Sequence, residues 1–258
     1  MRGSFLRHFS AYRAAKEILR AMRTLLLTDL GRMDYLAALS LQERLLELKQ
    51  QQSFADILLL VEHPHVFTLG RSGKESNVLS PGEIPVLRTS RGGDVTYHGP
   101  GQLVAYPILD LNSTLRKDVH RYLRNLELAT IDALASFGLV ADSKPPWTGV
   151  WIENRKIASI GVAVRKRITY HGVALNVNPD LSYFNRIVPC GLSWAEVTSI
   201  RKELGREISP EHVKREFVRN FVARFGFEEL KELCLEDIPT GLKSERLAAQ
   251  IISSSNGF

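Results

Sequence analysis

From Met22 onward, apolar positions fall into short runs and helical stripes. Arg23 to Asp29 reads as a short strand. Asp34 to Gln52 follows as an amphipathic helix, because Met33, Leu36, Ala37, Leu41, Leu45 and Leu48 recur at spacings of three and four. The run Asp56 to Glu62 predicts a buried strand, followed by His63-Pro64-His65 and a second short strand over Val66 to Leu69. Gly, Ser, Asn and Pro dominate residues 70–85, which predicts loop. Val86 to Thr89 and Gln102 to Asp110 read as strands flanking a glycine-rich segment.

A second helix is expected from about Lys117 to Phe137, with Val119, Tyr122, Leu123, Leu126, Thr130, Ile131 and Leu134 on one face and Gly138 as its stop. Three strands follow: Gly149 to Glu153, Lys156 to Arg165 across an Asn154-Arg155 turn, and Ile168 to Asn176. Residues 177–205 read as loop-rich. Ser209-Pro210 then opens a helix with a cap residue and Pro at the first position, burying Val213, Phe217, Val218, Phe221 and Phe225. Strands that cluster, rather than alternating strictly with helices, predict one α+β domain with a mixed sheet flanked by helices.

Composition narrows the function classes. The chain has 258 residues, 44% hydrophobic and 24% charged, which fits a globular domain with a sizeable core. No apolar run approaches the ~20 residues of a membrane helix. Two cysteines make no disulfide framework, and no Cys/His spacing suggests zinc. The net charge of +6 is concentrated in residues 1–21, where Arg2, Arg7, Arg13, Lys16 and Arg20 face a single Glu17. The nearly balanced remainder has one basic run, Arg165-Lys166-Arg167, so neither nucleic acid nor membrane is expected as a partner. Residues 1–21 read as a basic extension, with a mitochondrial transit segment, an upstream start preceding a true start at Met22, and a surface helix as its possible origins.

The densest unusual segment is Arg91-Gly92-Gly93-Asp94-Val95-Thr96-Tyr97-His98, continuing through Gly99-Pro100-Gly101-Gln102. Its glycines admit close backbone approach and its side chains supply donors and an aromatic surface; a tight turn between strands is the plainer reading. Cys190 lies in a loop between Pro189 and Gly191, suited to presenting a thiol. A free cysteine is most often a small buried hydrophobe, and Cys234, in the helical-looking stretch Glu228 to Glu236, fits that role better. Lys156 opens an apolar strand, where a lysine is usually a solvated end but can acquire a catalytic pKa if held in an apolar site. His171-Gly172 repeats the His98-Gly99 pairing. The residues alone lead to Cys, Lys and His near a glycine-lined cleft.

In order, three blocks resemble the lipoyl(octanoyl) transferase family. The first runs from Arg91-Gly92-Gly93 through Thr96-Tyr97-His98-Gly99-Pro100-Gly101-Gln102 to Tyr106-Pro107. The second comprises Thr148-Gly149-Val150-Trp151, Lys156-Ile157-Ala158-Ser159-Ile160-Gly161 and His171-Gly172-Val173-Ala174-Leu175-Asn176-Val177. The third is Pro189-Cys190-Gly191-Leu192 with Thr198-Ser199. The resemblance covers about residues 22–225; Asp94, and Ile168 in place of a frequent aromatic, depart from the pattern.

This resemblance implies the biotin/lipoate protein ligase fold, with residues 22–230 as the catalytic domain, 1–21 as an extension and 231–258 as a tail. It implies octanoyl transfer from octanoyl-acyl carrier protein to a specific lysine of lipoyl domains, in 2-oxoacid dehydrogenases and the glycine cleavage H protein. Cys190 becomes the thioester-forming nucleophile and Lys156 its proton-transferring partner. Arg91, Gly92, Gly93, Asp94, Val95, Thr96, Tyr97, His98, Ser159, Ile160, Gly161, His171, Gly172, Val173 and Ala174 become substrate-binding residues. No cofactor or metal is implied, and a cytoplasmic monomer is expected, or a mitochondrial one if residues 1–21 are a transit segment. An ATP-dependent lipoate or biotin ligase of the same fold is the alternative, and a non-catalytic lipoyl- or acyl-carrier-binding module is a third class.

Overall fold

The computed structural model describes residues 23–52, 55–114, 118–189 and 194–238. The extension at 1–21, Lys117 and Cys190 with its neighbours Gly191-Leu192-Ser193 lie outside the described residues.

The strands are β1 (Thr24–Arg32), β2 (Asp56–Glu62), β3 (Val66–Leu69), β4 (Val86–Arg88), β5 (Val95–His98), β6 (Gln102–Ile108), β7 (Asp142–Lys144), β8 (Trp147–Ile152), β9 (Arg155–Arg165), β10 (Ile168–Asn176), β11 (Glu196–Val197) and β12 (Glu229–Glu232). The helices are α1 (Tyr35–Gln52), the single-turn α2 (Leu111–Thr114), α3 (Val119–Ala135), the short α4 (Ile200–Leu204) and α5 (Pro210–Phe225). Among the described residues, nine strands form one mixed sheet, ordered β12-β1-β2-β6-β10-β9-β8-β7 with β11 on β9. A second sheet has the order β4-β3-β5.

Side chains alternate across the large sheet, as the two-residue period of a strand requires. Leu58 and Leu60 of β2 pack with Leu103 and Ala105 of β6 against α3 and α5. Ile57, Leu59 and Val61 pack with Val104 and Tyr106 under α1. The predicted stripe of α5 is buried as expected, and Ser209 caps the helix by accepting from the His212 N–H. Asp118 caps α3 by accepting from Arg121 N–H. Gly138 follows α3 in the left-handed region at φ +77°, as its place after the helix predicts.

Four expectations change. Leu36 is 54% exposed, because the inner seam of α1 runs through Ala38, Leu41, Leu45 and Leu46 rather than through the first-turn leucine. Val95 to His98 is a strand, not part of a glycine loop: β5 pairs antiparallel with β3 and all four residues are buried. Glu228 to Glu236 is not an α-helix; its only helical part is the start of a single 3-10 turn at Leu235–Asp237. Its Glu229–Glu232 portion adds to the sheet edge in parallel with Thr24 to Leu27, so β12 and the buried Ile238 carry the packed chain past residue 230. Cys234, just beyond that edge strand, is exposed rather than a core residue. Among the described residues, no helix is long and apolar enough to cross a membrane.

Candidate active site

A cleft opens on the α1 face of the large sheet, where β9 and β10 meet the loop ahead of β5. Antiparallel register sets Ser159 opposite Ala174 and Gly161 opposite Gly172. These four small residues make a shallow floor on two neighbouring strands. Ile160 and Val173, between them in sequence, pack into the core beneath α3 and α5 and line the cleft only with what remains on this side.

The Arg91–Asp94 loop forms the roof. Gly92 donates its N–H to the Val162 carbonyl at 2.8 Å. A Cβ on Gly161 would stand 2.9 Å from the Gly92 carbonyl oxygen, so roof and floor meet at a distance only glycine permits. Arg91 is buried and fastens this roof to β3, donating from Nε to Thr68 Oγ1 at 3.1 Å and from Nη1 to the Gly92 carbonyl at 3.0 Å. Asp94 accepts from the Lys74 and Val95 N–H groups and from Asn77 Nδ2, tying residues 74–77 to the roof. Tyr35, His98, Val104 and Tyr106 complete the walls.

Of the sequence-predicted residues, Arg91, Gly92, Gly93, Asp94, Thr96 and His98 come together with Ser159 to Gly161 and His171 to Ala174 around this one cleft. Val95 and Tyr97 do not join them. They alternate to the far side of β5 and pack with Phe67, Phe184 and Ile187, and the Tyr97 hydroxyl meets His65 Nδ1 at 2.7 Å.

Three histidines crowd the cleft wall. His63 bridges the Met33 carbonyl through Nδ1 at 2.7 Å and the Tyr106 hydroxyl through Nε2 at 2.8 Å, and burial lowers its pKa to about 4. His171, at φ +57°, donates its N–H to Gln42 Oε1 and meets Ser90 Oγ through Nε2 at 3.0 Å. Burial first, then the Arg91 charge, lowers its pKa to about 3. Burial, with His63 and Arg91 nearby, also holds His98 well below its ordinary value. These three histidines are therefore uncharged at neutral pH, beside the Arg91 and Asp94 side chains of the roof.

A pH dependence follows from these shifts. The fold holds His63 and His171 neutral, whereas each takes a proton near pH 6.5 in the unfolded chain. Their contribution to stability is complete above about pH 6.5 and is lost as pH falls toward 4 and 3. By pH 5 each imidazole costs about 2 kcal/mol. Urea unfolding at pH 7.5 and pH 5 should show this loss, and His63→Asn and His171→Asn should each shrink it. Equal stability at the two pH values would contradict the assignment.

Gly172 gives a second expectation. A Cβ there would run into the Ala105 carbonyl oxygen and approach Pro107 Cδ at 2.8 Å, both on the adjacent β6. Gly172→Ala should cost about 1–3 kcal/mol or more through strain in the close-packed sheet. A urea midpoint equal to that of the unaltered chain would show that β6 gives way freely.

Lys156 lies on β9, beside β8 and two strands in from the β7 edge. It is buried, with 5% of its surface exposed, and its Nζ sits 5.1 Å from the centroid of the Trp151 ring, the residue opposite it in register. Gly149, at φ +137°, leaves the space: a Cβ there would stand 2.6 Å from Lys156 Cε. A chain of hydrogen bonds ties this lysine's strand to β5, whose Thr96 and His98 line the cleft. Gln102 Nε2 donates to the Tyr97 carbonyl and to Asn176 Oδ1, Asn176 Nδ2 donates to the Thr198 carbonyl, and Thr198 N–H donates to the Lys156 carbonyl. The chain approaches Cys190 from Val188, whose N–H is bound by Asn77. On the far side Trp194 stacks on Trp151, and Val197 pairs with Lys156 in β11–β9.

The family model for the lipoyl protein ligase A/B catalytic domain matches residues 34–222, a span that contains every cleft residue named above. An octanoyltransferase from Solibacter usitatus is 51% identical over 215 residues, which is 81% of this chain and 96% of that protein. The chain belongs to the octanoyltransferase family. A second octanoyltransferase, from Geobacter sp. strain M21, is 50% identical over 186 residues, covering 72% of this chain and 90% of the relative. Among solved structures, a lipoate-protein ligase A bound with ATP superimposes with a TM-score of 0.69 at 17% identity, over 89% of this chain and 94% of that one. That likeness is one of fold, and it bears out the lipoate-ligase architecture expected from the sequence.

In this octanoyltransferase-family chain the walls also use residues that sequence reasoning did not select: Tyr35, Val104 and Tyr106, with His63 behind them. Tyr106 stood within a quoted motif. Tyr35 and His63 carried no local signal: Tyr35 opens α1 and His63 follows β2, and only their packing together beside β6 brings them to Tyr106 and the cleft.

Proposed function

We propose that this protein transfers an octanoyl group from octanoyl-acyl carrier protein to a specific lysine of lipoyl domains, with Cys190 carrying the group as a thioester and Lys156 moving the protons. The observation that carries the reading is 51% identity to an octanoyltransferase across 96% of that protein's length. The cleft supports it: a floor of Ser159, Gly161, Gly172 and Ala174 beside the neutral His98 and His171 and the apolar Val104 suits a straight apolar chain. Burial of that chain contributes about 0.8 kcal/mol per methylene.

The two half-reactions use one thiol. Cys190 Sγ, as the thiolate, attacks the donor thioester carbonyl, a tetrahedral intermediate forms, and the carrier's phosphopantetheine sulfur departs with a proton from Lys156 Nζ. The acceptor's lysine amine, in its neutral form, then attacks the Cys190 thioester. Its proton passes to Lys156 Nζ as the Cys190 thiolate leaves and the amide remains. Thioester exchange followed by amide formation runs downhill without ATP. Flanking geometry supports the pairing, since Val197 binds alongside Lys156 and Trp194 lies four residues from Cys190, a reach of at most about 14 Å.

The residues proposed to hold the substrate are those of the cleft, while Val95 and Tyr97 support the roof from behind. An ATP-dependent ligase is the competing reading. Purified protein should modify a lipoyl domain when given octanoyl-acyl carrier protein without ATP. A requirement for free octanoate and ATP would assign the chain to ligases instead.

A further inference from the structure

Among the described residues, Trp147 and Trp194 are the only aromatic side chains among the large exposed hydrophobics, at 37% and 44%. They are not scattered. Their rings meet edge-on at 4.9 Å, and Trp194 stacks on the buried Trp151 at 5.7 Å and 14°. Trp151 lies in turn 5.1 Å from Lys156 Nζ. Val150 and Ile152 on either side of Trp151 pack into the core under α3 and α5, so Trp151 faces the cleft side of the sheet. A continuous run of indoles therefore leads from solvent at the β7–β8 edge to the buried amine.

These rings already hold alkylammonium groups. Lys144 Nζ lies 5.3 Å from the Trp194 centroid and 5.9 Å from that of Trp151, with Asn154 Oδ1 accepting its hydrogen bond. Indole faces cover methylene stems, as they do for Lys144 and Lys156. The amines of those two residues disfavour a further positive charge, so the track suits a lysine side chain that enters with its amine in the neutral, attacking form.

We propose that the Trp147–Trp194–Trp151 track binds the acceptor protein's target lysine and guides its amine to Lys156. This rests on the transferase reading, for which Lys156 is the point of proton transfer. Trp147 and Trp194 are thereby positioning residues for the second half-reaction. The first half-reaction uses the cleft beneath the Arg91–Asp94 loop and does not need them.

The test separates the two steps. Binding of an unmodified lipoyl domain is followed by tryptophan fluorescence, and acyl-enzyme formation and acyl transfer are timed separately. Trp147→Ala and Trp194→Ala should each weaken binding and raise the acceptor KM by about tenfold, while acyl-enzyme formation stays within about twofold. Trp194→Phe should restore most of the loss. An acceptor whose target lysine is replaced by Met should bind the unaltered protein as weakly as the wild-type acceptor binds the variants. Equal binding by variant and unaltered protein, or a loss confined to acyl-enzyme formation, would overturn the proposal. If the unaltered protein forms no acyl-enzyme, the thioester reading fails, and the binding comparison still decides the track.

Discussion

Cys190→Ala should abolish octanoyl transfer, with a loss of at least about a thousandfold, as expected when a covalent nucleophile is removed. The fold should persist, since the segments flanking residues 190–193 are anchored independently, by Asn77 on one side and by β9 on the other. Cys234→Ser is the matched control. Cys234 is exposed just past the edge strand β12, and its replacement should leave the rate and the urea midpoint unchanged. Side-by-side rates for the two variants decide which thiol is used. A comparable loss in both would mean that the thiol was wrongly assigned.

Lys156→Ala should slow both half-reactions by about 100- to 10,000-fold, the range of a positioned general acid–base group. Lys156 combines burial with a location beside an indole face, so its removal takes away a cation and also leaves a hole against Trp151. Lys156→Met tests the chemistry alone, because it refills the hole without restoring the amine. Both variants should react with an alkylating reagent at Cys190 only at higher pH than the unaltered protein, since the thiolate loses its cationic partner. An unchanged alkylation profile in Lys156→Met would remove the lysine from its assigned role.

Much of the scaffold could be read from periodicity. The buried face of α5 and the strands β2, β3 and β10 follow directly from their apolar spacing, because those elements bury side chains in a pattern their own sequence repeats. Where the reading failed, the deciding partner was distant. β12 exposes three of its four side chains and so has no apolar period; it is a strand only because Thr24 to Leu27, some two hundred residues earlier, offers an open edge. β5 is buried on both sides and sits between glycine-rich turns, which made it look like loop. Leu36 has helical spacing but occupies the solvent side of the first turn.

The cleft was legible in parts. Gly92 read as a place of close approach, and Gly161 and Gly172 as substrate-binding residues through the resemblance. The structure supplies neighbours that demand glycine at the latter two, the Gly92 carbonyl over Gly161 and Ala105 against Gly172. That Ser159, Gly161, Gly172 and Ala174 make one floor depends on a β9–β10 register that no local pattern fixes. The neutrality of His63, His98 and His171 is likewise a property of burial, with the Arg91 charge adding to it at His98 and His171, and is invisible before the chain is folded.

The mechanism stands on a covalent octanoyl-enzyme at Cys190, which the intact mass of the protein reads out after mixing with octanoyl-acyl carrier protein in the absence of ATP. One octanoyl adduct is expected, released by hydroxylamine and lost in Cys190→Ala. A folded protein that modifies a lipoyl domain under those conditions without ever carrying the adduct, or that carries it equally in Cys190→Ala, would contradict it.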